Sequence, residues 1–463
     1  MEKRQVQLGW LITLTSLGFF MAMMDSMIVT TASTAIKMDF HISVASLQWA
    51  LNAYNVAIAA VLLVGVALGD RFGRRRIYNL GILVFTIGSI LCALATQMPF
   101  LIIARIIEGA GASMITPMSM AILTNAIPNE QRGKSLGIWS GIGGLALIVG
   151  PALGGLIVAE LTWQWIFWIN VPIGLAVIIL SAHFLPESTG PAASINWLDV
   201  SLSMFAMTVI IWALSESTTG SNWLMLGSVF ILGLAAGMWF IKRQRVSSTP
   251  LVSLRLFRNR NFLAGNLATF LAYAAMYGVV FFLPQYLQVV LRANALQAGL
   301  ALLPWTGTLV IVAPFAGKAV DHFGAGRVAI LGLFCQGFGY LMIGQLAAYQ
   351  QAYIAMVVPL AIAGTGLSMA GPALQKVVLG AVTSTEVGQA SGVYNVFRLL
   401  GGAVGMTIAV MVFTLAGNTQ TTTMYISGFY MVMLTTALLS VIGAGCAWLL
   451  RTPEAHRTKQ KDF

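Results

Sequence analysis

Apolar runs about 20 residues long, separated by short polar breaks, recur along this chain from one end to the other. A helix rising about 1.5 Å per residue needs roughly 20 such residues to cross a hydrocarbon core about 30 Å thick, so each run predicts one membrane-spanning helix. Windows of about 19 residues place spans near 9–32, 48–69, 77–96, 100–125, 135–159, 165–185, 198–216, 223–241, 262–291, 296–317, 327–347, 351–375, 388–416 and 425–450. The expectation is an all-α polytopic membrane protein of about fourteen helices. The basic start MEKRQVQLGW leads into a run too long for a signal-peptide core, with no small-residue cleavage pattern after it, and is read as a retained first helix.

Composition agrees with this pattern. The 463 residues are 58% hydrophobic and 8% charged, with a mean hydropathy of +0.86, whereas a soluble domain is about 25% charged. The basic residues orient the spans. Lys3, Arg4, Arg71 to Arg76, Arg132, Lys134, Lys242, Arg243, Arg245, Arg255, Arg258, Arg260, Lys318, Arg327, Lys376, Arg451, Arg457, Lys459 and Lys461 fall in the tails or the even-numbered loops, or at their edges. Only Lys37 and Arg292 fall in odd-numbered loops. An excess of Lys and Arg marks cytoplasmic loops, so both termini are expected in the cytoplasm of a bacterial inner membrane. Topology and contact with anionic lipid account for the net charge of +11 without any nucleic-acid partner. Cys92, Cys335 and Cys446 lie inside apolar runs, where a thiol packs as a small hydrophobe, and no disulfide is expected.

The chain repeats itself. GAGASMITP at 109–117 and GTGLSMAGP at 364–372 share G-x-G-x-S-M-x-x-P at an offset of 255; RGKSLGIWS at 132–140 and VGQASGVYN at 387–395 keep that register. GDRFGRRR at 69–76 has a fainter echo in VDHFGAGR at 320–327, offset by 251. The repeat links span 4 to span 12, which fits two six-helix bundles with an extra pair between them. The expected organisation is an N-terminal bundle at 1–190, an inserted pair (spans 7 and 8) at 191–245, a cytoplasmic basic linker at 246–261 and a C-terminal bundle with a short tail at 262–463. Parallel repeats of this kind in transporters place a substrate site near the midplane between the halves.

Several motifs carry a resemblance. Gly69-Asp70-Arg71-Phe72-Gly73-Arg74-Arg75-Arg76 resembles the cytoplasmic signature of the major facilitator superfamily, although Val66 stands where that signature usually has its first glycine. An acid at a helix end can pair with arginines, so Asp70, Arg71, Gly73 and Arg74 are candidates for a latch at the inward mouth. Leu101-x-x-x-Arg105-x-x-Glu108-Gly109-x-Gly111 is similar to the family's second motif, with Glu108 in place of the usual glutamine. An arginine at the centre of a span costs roughly 2.5–3.5 kcal/mol to insert and is rarely idle. Glu108 follows it by three residues and can pair with it.

Gly144, Gly150, Pro151, Gly154 and Gly155 in span 5 resemble the family's antiporter motif, in which proline loosens the helix and glycines permit close contact. Trp163-Gln164-Trp165-Ile166-Phe167-Trp168-Ile169-Asn170-Val171-Pro172-Ile173-Gly174 is similar to a signature of the fourteen-helix drug:proton antiporter branch. Leu47-Gln48-Trp49 with Tyr54, and Leu283-Pro284-Gln285-Tyr286 with Gln288, fit the same branch. Met24-Asp25-Ser26-Met27-Ile28-Val29 resembles that branch's acidic first-helix motif, departing from it at Thr30 and at Ala35-Ile36.

The resemblance covers nearly the whole chain and implies a major facilitator fold and a proton-coupled antiporter that exports hydrophobic or cationic small molecules. Asp25 is the leading candidate for proton coupling, with Glu108 and Arg105 as the further candidates, because an acid among methionines and phenylalanines is costly to keep charged without a partner. The remaining polar residues inside spans, Asn52, Asn55, Gln285, Gln288, Asn395 and Arg398, together with Tyr273 and Tyr277, are candidate substrate contacts or glue between helices. The rival readings are an exporter dedicated to one metabolite, lipid or peptide, since a fold does not fix a substrate, and an intramembrane enzyme. His41, His183, His322 and His456 lie at or beyond helix ends without metal-like pairing, and no Walker loop is present. No cofactor, metal or catalytic residue is expected, and the chain is expected to work as a monomer in the bilayer, exchanging small molecules for protons.

Overall fold

The computed structural model describes residues 8–127, 129–190, 196–216, 223–247, 252–383 and 386–450, and the described residues form helices and connecting turns. The helices are α1 (Leu8–Asp39), α2 (Val44–Phe72), α3 (Arg74–Ala93), α4 (Met98–Ala126), α5 (Asn129–Glu160), short α6 (Trp165–Trp168) running into α7 (Asn170–Phe184), α8 (Trp197–Glu216) and α9 (Trp223–Val246). A 3-10 turn (Leu254–Arg258) then leads to α10 (Arg260–Val289), short α11 (Ala295–Leu300), α12 (Leu303–Phe323), α13 (Ala325–Ala348), α14 (Tyr353–Gly380), α15 (Val387–Ala416) and α16 (Thr422–Trp448).

Every predicted span coincides with one of these helices or with a broken pair. Twelve described helical stretches are long and apolar enough to cross a bilayer, thirteen if the two parts of the bent α2 count as one span, while the apolar part of α8, Trp197–Ala213, is shorter. The outer faces remain apolar: Leu224, Ile354, Ile179 and Ile311 are each more than 60% exposed. An apolar surface this extensive is unfavourable in water and suits lipid.

Local chemistry sets the helix ends. Ser43, Asn259 and Thr421 cap α2, α10 and α16, and Asn294 forms a reciprocal capping box with Gln297 at the start of α11. Between α2 and α3 the chain turns within one residue, Gly73, at φ +109°. Gly324 makes the matching turn between α12 and α13 at φ +86°, a backbone region that glycine enters without the steric cost of a Cβ.

The sequence repeat reappears as repeated packing. α1 lies on α5 as α10 lies on α15, α2 on α4 as α12 on α14, and α3 on α4 as α13 on α14. The shared G-x-G explains the last pair. A Cβ added at Gly81 would lie 3.0 Å from the carbonyl oxygen of Gly111, and one added at Gly332 would lie 2.6 Å from that of Gly366. Backbones this close exclude any side chain, so the same glycines recur in both halves.

The halves meet on one side of the midplane, at the end away from the termini. There α5 abuts α11, the outer part of α2 abuts α15, and α1 abuts α10. Gln48 donates to Thr407 at 2.6 Å and Gln288 donates to the Thr31 carbonyl at 3.3 Å. α8 lies against α2 and α15, and α9 lies against α8. Arg243 on α9 donates to the wholly buried Asp199 of α8 at 2.5 Å, tying that pair together.

Candidate functional site

Among the described residues, the interior holds a charged cluster inside the N-terminal helices and a cavity between the halves. In the cluster, Arg105 of α4 donates from Nη1 to Asp25 Oδ2 of α1 at 2.5 Å and to Glu108 Oε2 at 2.7 Å. All three are buried, none more than 1% exposed. Asn170, at the start of α7, donates to Asp25 Oδ1 at 3.4 Å and to Ser89 Oγ at 3.0 Å, and the Cys92 thiol donates to Glu108 Oε2 at 3.4 Å.

Close helix packing makes this cluster possible. Gly88 of α3 sits so near the Glu108 backbone that a Cβ there would come within 2.5 Å of its nitrogen. Sealed off in this way, the cluster holds two carboxyl groups and one guanidinium. With both acids ionised it carries an uncompensated negative charge, and burying such a charge costs several kcal/mol. A single proton on either acid removes it.

The cavity measures about 670 Å³ and is lined from both halves, by α1, α2, α4 and α5 on one side and α10, α12, α14 and α15 on the other. That volume suits a drug-sized molecule. Its walls are mainly apolar and aromatic, including Phe19, Met23, Met27, Tyr54, Tyr273, Met276, Tyr277, Trp305 and Tyr394. Tyr54 belongs to both features: it lines the cavity, its ring lies 4.2 Å beneath the Arg105 guanidinium, and its hydroxyl donates to the Ala22 carbonyl at 2.8 Å. It is the partition between the two.

The candidate contacts divide accordingly. Asn55, Tyr273, Tyr277 and Arg398 line the cavity, and the Arg398 guanidinium lies 5.7 Å over the Tyr273 ring. Asn52, Gln285, Gln288 and Asn395 stand outside the lining. Asn52 donates to the Ala403 carbonyl at 3.2 Å and Gln288 reaches α1, so both bind helices together. Gln285 and Asn395 donate to carbonyls four residues back on their own helices, Phe281 at 2.8 Å and Ser391 at 2.9 Å. Asp25 and Glu108 do not line the cavity either. They face the other way, toward α3 and α7.

In the α5 motif, Gly150 and Gly154 pack on α1 at Met27 and Ile28, while Pro151 and Gly155 meet α11 of the other half. A Cβ at Gly155 would lie 2.8 Å from the Leu296 Cα. Gly144 meets Val310 of α12 at the cavity wall, where an added Cβ would lie 3.6 Å from the Val310 Cγ2. The loop candidates stay within their own half. Asp70 accepts from Arg74 at 2.9 Å, Arg75 and Arg76 lie 3.7 and 3.8 Å from Glu187, Arg74 N donates to the Ser188 carbonyl, and Arg71 lies over the Phe72 ring. In the second half, Asp321 pairs with Lys376 at 2.5 Å. Sequence reasoning did not single out Asn170, Ser89, Cys92 or Asp199 as site or pairing residues. Asn170 in a run of aromatics and Asp199 in an apolar helix were the available signals.

The sequence model of the Major Facilitator Superfamily matches residues 14–406 and 265–463. The uncharacterized transporter YebQ of Escherichia coli (strain K12) is 30% identical over 97% of this chain and 96% of its own length. The multidrug resistance protein Stp of Mycobacterium tuberculosis is 31% identical over 85% of this chain and 74% of its own. Among solved structures, a POT family transporter in complex with a thioalcohol-conjugated peptide superposes with a TM-score of 0.73 at 15% identity, covering 94% of each chain.

Proposed function

The chain belongs to the Major Facilitator Superfamily, and from that premise we propose that it exports hydrophobic small molecules across the bacterial inner membrane in exchange for protons. The observation that carries this reading is the Asp25–Arg105–Glu108 cluster, with one more acid than base and all three side chains buried from the surface. A cluster of that composition is neutral with one proton and charged without it, so loading and release of the proton change its internal energy by several kcal/mol. That difference is large enough to bias a two-state equilibrium strongly.

Coupling to substrate runs through α1 and Tyr54. α1 presents Met23, Ser26 and Met27 to the cavity and Asp25 to the cluster, and Tyr54 touches Arg105 from the cavity side. A molecule that presses on this wall changes the surroundings of the arginine without meeting the acids. Proton and substrate then need not share one space.

Alternating access is supported by the asymmetry of the contacts between the halves. They close the end away from the termini, where Gly155 and Gly299 let α5 and α11 touch. With the termini cytoplasmic, as the basic residues indicate, this is an inward-facing state. Asp70 and Arg74, paired within their own half, would exchange that pairing for a contact across the inward mouth when it closes.

Multidrug export is favoured over a dedicated substrate by the cavity walls. Methionines and aromatics adapt to varied shapes, and among the described lining residues few polar side chains are present to impose one hydrogen-bonding pattern. Efflux of lipophilic fluorescent compounds from energised cells tests the reading. Expression of the chain should lower their accumulation, and collapse of the whole proton-motive force with a protonophore such as CCCP should abolish the effect. Export that survives the protonophore would exclude proton exchange.

A further inference from the structure

The same cavity carries a sign. Among its described lining residues, Arg398 is the one that bears a charge, and it has no carboxylate partner among the described residues. Its guanidinium rests over Tyr273, with Tyr277 and Tyr394 close by. The two acids that could have welcomed a cation, Asp25 and Glu108, stand behind Tyr54 and are already held by Arg105.

We propose that the cavity takes an amphipathic organic anion, its acid group paired with Arg398 and its flat apolar body held between the tyrosines and Trp305. The proposal rests on the export reading above and names its substrate class. A guanidinium fork matches a carboxylate geometrically, and such charge-assisted bonds are about twice as strong as neutral ones. The aromatic walls supply area for the rest of the molecule, and Asn55 offers an amide from the opposite half. A cation entering the same space meets a like charge with nothing to offset it, which discriminates against that class.

The assignment fits the energetics of export. Moving an anion outward while a proton moves inward carries positive charge inward twice, so an interior-negative membrane potential drives both.

The test is equilibrium binding to the full-length protein in nanodiscs, with three probes built on one aromatic skeleton: pyrenebutyrate, its methyl ester, and pyrenebutyl-trimethylammonium. The native chain should bind the carboxylate at least about tenfold more tightly than the ester and the ammonium least. Arg398→Ala should bring carboxylate and ester to parity while leaving ester binding in place, which also shows that the variant is folded. Arg398→Lys should keep a preference for the carboxylate. Tighter binding of the ammonium, an unchanged carboxylate-to-ester ratio in Arg398→Ala, or no carboxylate binding at all would overturn the proposal. A failure of proton exchange, by contrast, would leave these ratios untouched and count against the export mechanism alone.

Discussion

Asp25 and Glu108 hang from the same nitrogen: Arg105 Nη1 lies 2.5 Å from Asp25 Oδ2 and 2.7 Å from Glu108 Oε2. Each acid therefore feels any change in the charge of the other, and the arginine is the hinge of the arrangement.

Removal of that hinge should be severe. Arg105→Ala leaves two acids buried with no cation, and breaking a buried ion pair typically costs about 3–5 kcal/mol. Thermal unfolding in detergent should show a large drop in midpoint together with loss of transport. Arg105→Lys should recover stability better than transport, because an ammonium keeps the charge but lacks the planar guanidinium that rests on the Tyr54 ring and links the cluster to the cavity wall.

Glu108→Gln separates charge from structure. The glutamine keeps the size of the side chain but leaves one acid and one base, a neutral pair that needs no proton. The variant is expected to fold with near-native stability while the pH dependence of substrate binding flattens, measured as binding affinity across a pH series. A pH dependence identical to that of the native chain would assign the titrating role elsewhere.

The contact between α5 and α11 is expected to control which side opens. At Gly155 even a Cβ would lie 2.8 Å from the Leu296 Cα, so Gly155→Leu must force the two halves apart at this end. Distances between spin labels on α5 and α11 should lengthen relative to the native chain, and accessibility from the side opposite the termini should rise.

The α8–α9 pair offers a stability test independent of transport. Asp199 is fully buried and held by Arg243. Arg243→Ala should destabilise the protein by about 3–5 kcal/mol because the carboxylate loses its partner, whereas the double change Asp199→Leu with Arg243→Leu should recover most of the loss. Thermal unfolding of the three variants checks this.

Much of the fold was legible because the bilayer simplifies the sequence. Length and hydropathy alone marked the helices, and the two G-x-G segments marked the halves, since only glycine permits the approach of Gly111 to Gly81 and of Gly366 to Gly332. The Arg105–Glu108 pair could be read from a spacing of three on one helix. Its third member could not, because the approach of Asp25 depends on how α1 and α4 pack.

The cavity was only half legible for a related reason. Asn52 and Asn55, or Asn395 and Arg398, sit three residues apart on helices that are apolar all round, so no amphipathic stripe says which member faces the cavity. Tertiary packing turns Asn55 and Arg398 inward and gives Asn52 to the neighbouring helix and Asn395 to its own. Packing also turns Asp25 and Glu108 away from the cavity, toward α7 and α3.

The most direct measurement is substrate-induced proton release from liposomes containing the purified chain, under an imposed pH gradient, with amphipathic compounds of either charge. The native chain, Asp25→Asn and Glu108→Gln would be compared. Proton movement that appears with substrate in the native chain and vanishes in Asp25→Asn is the predicted result. Substrate movement without any proton movement, or undiminished exchange in both variants, would contradict a proton carried by this cluster.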